Sequence, residues 1–492
     1  MDSDDVRNRF RSRARRDYLG PMPAADRQDV QKPKQEDIPA QNEYSNNQDR
    51  HGYDRYTYVE YDDAQYHDDY YEDEYHEQYD DQKRERKTRP KGKIFFFILL
   101  GLILVAGAVG GFLFWKNKKS NSQQVDNKIP VIASPEQPEE APTTSKKTIR
   151  LVATGDMMAH DTILKNGKTA TGYDFSPMLA NMKPFFDKSD IKICNQSTPS
   201  GGENFGYSGH PDFNAPAEWA RAIGGVGCNV INLGSNQIND KGQGAVDATV
   251  AAWDNQEGVL AVVGANRNTE EQAKVRTFEK EGVKFAILSY STASDKPVTN
   301  GFAINMYDAG KASTQVAEVK KGADVVIVNM NWGTEYSSGI DATQDKIAQE
   351  IADAGADVVV GHGPHVLEPV KSLKGKNGNS TLVWYSLGNF LNTQLQTEAL
   401  IGGFAVMDID TSTKKLTEPK FMPVYMHYEW TPAQKTANDL LARNNVSMYP
   451  LDKAAEPMTK SYIDTTVEVQ TARVNKLLNQ FTKVTVIKSD EF

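Results

Sequence analysis

The chain has 492 residues, 39% of them hydrophobic, with a formal net charge of −10 and a mean hydropathy of −0.59. At roughly 100–200 residues per domain this length allows two or three domains. Two cysteines exclude a scaffold held by a framework of disulfides.

Residues 1–93 cannot build a core. Between Gly52 and Gln82 stand twelve Asp or Glu against one Arg, with nine of the 21 tyrosines among them. Dense like charge and few aliphatic side chains cannot offset the entropy of ordering a backbone, so a disordered acidic cytoplasmic tail is expected. The tract from Gly52 to Gln82 alone carries a formal −11, twelve acids against one Arg, so the net charge says little about ligands of the remainder. The earlier basic piece VRNRFRSRARR reads as a solvated charge run rather than a lipid or nucleic-acid contact, and no nucleic-acid partner is expected.

The run KIFFFILLGLILVAGAVGGFLFWKNKK follows. Ile94 to Trp115 carries no charge over 22 residues, enough to cross about 30 Å of hydrocarbon at about 1.5 Å per residue. It stands too far behind a long polar tail to be a cleaved signal peptide, so a transmembrane helix over 94–115 is expected. Lys83, Arg84, Arg86, Lys87, Arg89, Lys91 and Lys93 precede it, whereas only Lys116, Lys118 and Lys119 follow. The heavier basic flank stays in the cytoplasm, which places the tail inside and residues 116–492 outside a cell membrane crossed once. Residues 116–147, rich in Pro, Ser and Gln, read as an extracellular linker.

From Thr148 the pattern changes. TIRLVATGD, IKICNQS, CNVINLGS, LAVVGAN, KFAILSYS, ADVVIVNMNWG, ADVVVGHG, TLVWYSLGNF and GFAVMDID read as strands buried on both faces. Helical patterns lie between several of them, at 215–225, 243–256, 308–321 and 341–355. This alternation predicts a largely parallel, layered α/β sheet with helices on both faces over residues 148–430. GFAVMDIDTSTKKLTEPKFMPVYM reads as an antiparallel hairpin, and 431–492 as a C-terminal extension with a helix near 465–482. Cys194 and Cys228 fall in predicted core strands and are expected as buried free thiols, although the compartment would permit a disulfide.

Strand after strand ends in a polar residue. Asp156 and His160 stand in GDMMAHD, Asn195 and Gln196 in CNQS, and Asn236 and Gln237 in GSNQ. Asn331, Trp332 and Glu335 follow in NMNWGTE, then His362 and His365 in GHGPH, and Asn389 in SLGNF. One such residue is ordinarily a turn or cap. Six strands doing so predict one shared cleft, because ligands of open α/β sheets bind beyond the carboxyl ends of the strands.

Taken in order, ATGDMMAHD, NQSTPSG, NLGSNQINDKG, NWGTEY, GHGPHVLEP and YSLGNF resemble the CapA-type capsule and poly-gamma-glutamate synthesis family over roughly residues 148–425. The resemblance implies a metallophosphoesterase-like fold. In it two metal ions, bridged by a carboxylate, activate water and clamp a phosphoryl group. Carried over, Asp156 is the first carboxylate, Asn236 a neutral amide ligand and His365 the last histidine. His160 lies nearby without being required by the family.

Four positions depart from that pattern. Gln196 stands where the family's NLE ends in Glu, Gln237 at the histidine of NNH, and Asn331 at the histidine of HWG. Gly363 takes the first histidine of HPH, with His362 beside it as an imperfect substitute. A neutral amide cannot offset the repulsion between two dications, and transition metals prefer imidazole. No cofactor is dictated; one divalent metal, weakly held by Asp156, Asn236 and His365, is the most this set would take. The expectation is therefore a membrane-anchored protein acting in capsule or poly-gamma-glutamate synthesis, export or attachment, by binding rather than catalysis. Membrane lipid, an anionic polymer or polysaccharide, and capsule-assembly membrane proteins are the expected partners. The alternatives are a metal-dependent phosphoesterase with an atypical site, and a structural envelope protein acting through its cytoplasmic tail.

Overall fold

The computed structural model describes residues 147–492. The tail expected over 1–93, the span expected over 94–115 and the linker up to residue 146 lie outside the described residues. Among the described residues no helix is long and apolar enough to cross a membrane.

The strands are β1 (Thr148–Met157), β2 (Ile191–Gln196), β3 (Val230–Asn232), β4 (Ala261–Val263), β5 (Arg276–Lys280), β6 (Val283–Ser291), β7 (Val325–Asn331) and β8 (Val358–His362). They continue with β9 (Val370–Lys374), β10 (Ser380–Trp384), β11 (Asn389–Leu391), β12 (Ile401–Asp410), β13 (Lys420–Glu429), β14 (Asn444–Pro450) and β15 (Thr485–Val486). They form two sheets. The first runs β14-β13-β12-β1-β2-β3-β4, with β11 beside β1 and β15 beside β13; the second runs β5-β6-β7-β8-β10-β9. β1 to β4 are parallel, as are β6, β7, β8 and β10. The single, largely parallel sheet expected from the sequence is thereby corrected to two mixed sheets. Its cause is local: β12 joins β1 antiparallel and β13 in turn joins β12 antiparallel, while β5 and β9 close the second sheet as antiparallel edges.

Alternation along the strands builds the layers. Phe285, Ile287, Val325, Ile327, Val358 and Val360 enter a core shared with Ile193 and Ile231 of the first sheet. Their chain neighbours Ala286, Leu288, Val326, Val328 and Val359 enter a second core with Val316, Ile347 and Ile351. Those last three come from helices Ala309–Lys320 and Ala342–Ala354. Successive strand side chains point to opposite faces, so a continuous apolar run serves two cores at once. Helix Ala342–Ala354 opens on a capping box between Asp341 and Gln344 and closes at Gly355 in the left-handed region. Helix Ala217–Val226 brings Trp219, Ala220 and Ile223 to the first core. The last helix is Val467–Leu478, and residues beyond 430 add β14 and β15 to the first sheet.

Cys194 and Cys228 are joined in a disulfide with Cα atoms 5.9 Å apart, which corrects the expectation of free thiols. Neighbouring strands explain it. Cys194 lies in β2 and Cys228 two residues before its parallel neighbour β3, where the chain enters the sheet. The bond closes a loop of 34 residues in sequence separation. Replacing both cysteines by serine should cost about 2–4 kcal/mol, chiefly by freeing the unfolded chain. Urea unfolding of the Cys194→Ser/Cys228→Ser chain checks this, and a midpoint equal to that of the oxidised parent would contradict it.

Candidate functional site

The carboxyl ends of β1, β2 and β3 meet those of β6, β7 and β8, and hydrogen bonds cross between the sheets. Asn195 Nδ2 donates to Asp156 Oδ1 at 2.6 Å, and Asn232 Nδ2 donates to Asn195 Oδ1 at 2.7 Å. Ser289 Oγ then donates to Asn232 Oδ1 at 2.6 Å. All four side chains are buried, so this chain is how each polar group meets its requirement for a partner. A second branch starts at Asn331, whose Nδ2 donates to Ser291 Oγ at 3.1 Å and Asn236 Oδ1 at 3.3 Å. Asn236 Nδ2 passes on to Asp295 Oδ1 at 3.0 Å.

Two histidines close on Asp156 from β8 and the turn after it. His365 Nδ1 lies 2.8 Å from Asp156 Oδ2, and its Nε2 lies 3.8 Å from Glu335 Oε1. Burial lowers the basicity of the His365 imidazole, but Asp156 and then Glu335 more than offset this and carry it up to about 9. Burial would likewise raise Asp156. His362 and His365 together outweigh that and hold its carboxyl well below the ordinary range. The Asp156–His365 pair is therefore ionic at neutral pH. His362 Nδ1 stands 3.5 Å from Asp156 Oδ1, an electrostatic neighbour rather than a donor. Both His362 ring nitrogens are buried without a hydrogen-bond partner, as is His160 Nδ1. Burial, followed by the charges of His365 and Arg443, pushes His160 down to about 3, so its ring is neutral.

The other expected residues separate into two groups. His160, Gln237, Glu335 and His365 line one cleft of about 730 Å³. Asn389 lies opposite Asp156 in the β1–β11 pair and donates to Gln394 Oε1 and the Ala399 carbonyl. Gln196 and Trp332 are turned away. Gln196 donates to the Thr198 carbonyl and Ser200 Oγ and accepts from Trp253 Nε1. The pleat requires this, because Asn195 faces Asp156 and the next side chain must face the opposite side. Trp332 stacks on Tyr385 in the second core and donates to its carbonyl at 2.8 Å.

Position 363 is also not a ligand position. Gly363 has φ +109°, and a Cβ there would sit 2.6 Å from the Trp332 carbonyl oxygen. It is His362 that faces Asp156. Of the trio Asp156, Asn236 and His365, the first and last are in hydrogen-bond distance, whereas the Asn236 side chain bonds to Asn331 and Asp295. Asn232, Ser289, Ser291 and Asp295 were not anticipated. The one signal for Asn232 is a lone amide inside the apolar VINL run.

A pair of bridged metal ions does not fit this donor set. The amide chain is self-satisfied, Gln196 points elsewhere, and Asp156 is already committed to Asn195 and His365. Among the described residues no three His, Cys, Asp or Glu side chains are spaced to hold a metal ion as they stand. The nearest approach is Asp156, His362 and His365, where the unpartnered His362 nitrogens are the donors to spare. As it stands, the arrangement is built for hydrogen bonding.

Fold and site thus define a layered α/β protein with a polar cleft at the joined strand ends of two sheets. Residues 150–394 match the family of the bacterial capsule synthesis protein PGA_cap, and through this domain the chain belongs to that family. It is 28% identical over 263 residues to the capsule biosynthesis protein CapA of Bacillus anthracis, covering 50% of this chain and 58% of that protein. It is 32% identical over 223 residues to the PGA biosynthesis protein CapA of Bacillus subtilis (strain 168), covering 43% and 56% respectively. The chain spans a little over half the length of these curated relatives. Among solved structures, one described as a novel phosphatase of Mycoplasma pneumoniae aligns at 13% identity and a TM-score of 0.38. It covers 60% of this chain and 99% of that one. A 5'-nucleotidase of Candida albicans aligns at 11% and 0.33, covering 56% and 51%. Likenesses this remote carry no argument about the reaction.

Proposed function

We propose that this chain is a cell-surface component of capsule or poly-gamma-glutamate biosynthesis that binds an anionic polymer or polysaccharide in its cleft and does not hydrolyse phosphoesters. The names of the CapA relatives support the process. The observation that carries binding over catalysis is the closed chain Asp156–Asn195–Asn232–Ser289, in which amides and a hydroxyl stand beside Asp156 and no second carboxylate takes part. In this reading the fold is a metallophosphoesterase-like scaffold whose strand ends have exchanged charge for amides. The apolar run 94–115 anchors it with the acidic tail inside, in contact with membrane lipid and capsule-assembly membrane proteins.

The two unpartnered nitrogens of His362 favour one further reading, a single-metal phosphoesterase. In it Asp156, His362 and His365 would hold a divalent ion that acts as a Lewis acid on a phosphoryl oxygen. The deciding measurement uses the purified full chain with manganese or zinc. Metal stoichiometry, phosphodiester turnover and retention on immobilised poly-gamma-glutamate are read side by side. Polymer retention without turnover is expected. Turnover with about one equivalent of metal, absent in His362→Ala, would replace binding with catalysis.

A further inference from the structure

Arg443 is 4% exposed, yet it has no carboxylate partner among the described residues. Its Nε donates to the Leu440 carbonyl at 2.8 Å, and its terminal nitrogens donate to the Thr393 carbonyl and to Thr162 Oγ1 at 3.0 Å. The guanidinium carbon lies 4.8 Å from the centre of the Tyr428 ring and 5.9 Å from that of Trp430. Every one of these contacts is to a neutral group. A guanidinium keeps its charge at any physiological pH, and withdrawing it from water without an opposite charge is costly.

The location gives that cost a meaning. Arg443 lines the same cleft as His160 and His365. Of the other charged groups on this wall, Lys296 pairs with Asp212 at 2.7 Å, Glu335 faces His365, and Asp295 accepts from the Asn236 amide. Arg443 also lies beyond residues 150–394, the segment that matches the family. It reaches the cleft because β14, which begins at the next residue, pairs with β13 and so returns the chain to the first sheet.

We propose that Arg443 is the centre of an anion-binding subsite in the cleft wall, taking a carboxylate or phosphate group of the ligand. The planar fork suits either group, and the rings of Tyr428 and Trp430 hold it flat. This rests on the binding reading above and assigns the charge preference of that site to one residue.

The probes are N-acetyl-L-glutamate for a carboxylate, inorganic phosphate, and N-acetylglucosamine as the neutral control, titrated calorimetrically into the full chain. Saturable binding of an anion is expected, weakened about 10–100-fold by Arg443→Gln, the range for a hydrogen-bonded charge. A carboxylate response identifies a carboxylate ligand, and a response to phosphate alone identifies a phosphate. Should Arg443→Gln not fold, Leu440→Glu decides. Leu440 is 38% exposed at the cleft, so an acid there should weaken the anion by repulsion without disturbing the core. Anion binding that is absent, or unchanged in these variants, overturns the subsite. Polymer retention surviving Arg443→Gln would overturn it too while leaving the proposed function standing. Loss of polymer retention by the parent chain, with the small anion still bound, would do the reverse.

Discussion

Replacing Asp156 by alanine should lower the stability of the folded domain by about 3–5 kcal/mol, the cost of stranding a buried charge. His365, 3% exposed, would lose its principal counter-charge and keep Glu335 at 3.8 Å as its only remaining acid neighbour among the described residues. Asn195 would lose its 2.6 Å acceptor and keep only Ser197 Oγ for that amide hydrogen-bond donor. The paired variant Asp156→Ala/His365→Ala should recover part of the loss, because neither charge is then alone. A double-mutant cycle measures this as a coupling of about 1 kcal/mol or more. Additive losses would show that the two residues are not a pair.

The pH dependence has two edges. Asp156 is held below its ordinary value of 3.8, so its contribution is present above that value and is lost as the pH falls below it. His365 is raised from 6.5 to about 9, so its contribution is complete below 6.5 and is lost as the pH rises to about 9. The stability difference between parent and Asp156→Ala should therefore be widest between about pH 4 and pH 6.5.

Gly155→Ala should be comparably damaging at the same strand end. A Cβ there would lie 2.0 Å from the Gly388 carbonyl oxygen and 2.8 Å from that of Leu387. Both obstacles are backbone, and Gly388 is itself tied to Asp156 by a 2.9 Å hydrogen bond from the Asp156 amide. Neither side can yield without opening β1 from the segment before β11. A loss above about 3 kcal/mol is expected, at the upper end for an overpacked core, together with displacement of Asp156. Gly225→Ala is the control. Nothing lies within 4 Å of the Cβ it would add, and it sits inside helix Ala217–Val226. Alanine is the better helix former, so this change should be neutral or stabilising. Thermal unfolding of both variants separates close approach from any general intolerance of glycine loss.

The cleft was legible because its residues recur at one place in each strand pattern, the last position before a turn. Which neighbour of a pair faces the site was not. Asn195 against Gln196, and His362 against Gly363, are settled by pleat and turn conformation, and a slip of one residue exchanges the two faces. The short strands RTFEK, VKSLK and NNVSMYP were missed because alternation is brief in them and charges or proline interrupt it. The disulfide was missed for a related reason: an apolar strand context reads the same for a thiol as for a bridge until strand order is known. Arg443 gives no signal in LLARNNV, where a basic residue looks like surface.

The place of β1 has a consequence for how the chain is made. It sits in the interior of the first sheet, and its partner β12 begins at residue 401, pairing from Thr148↔Asp410 to Thr154↔Phe404. Arg150 reaches Asp408 at 2.9 Å across a separation of 258 residues. A nascent chain therefore holds one side of its first strand open through most of elongation, and any product cut short before β12 keeps an apolar edge able to recruit other strands. Synthesis through β12 acts as the checkpoint: aggregation should mark every polypeptide that stops before that pairing is made.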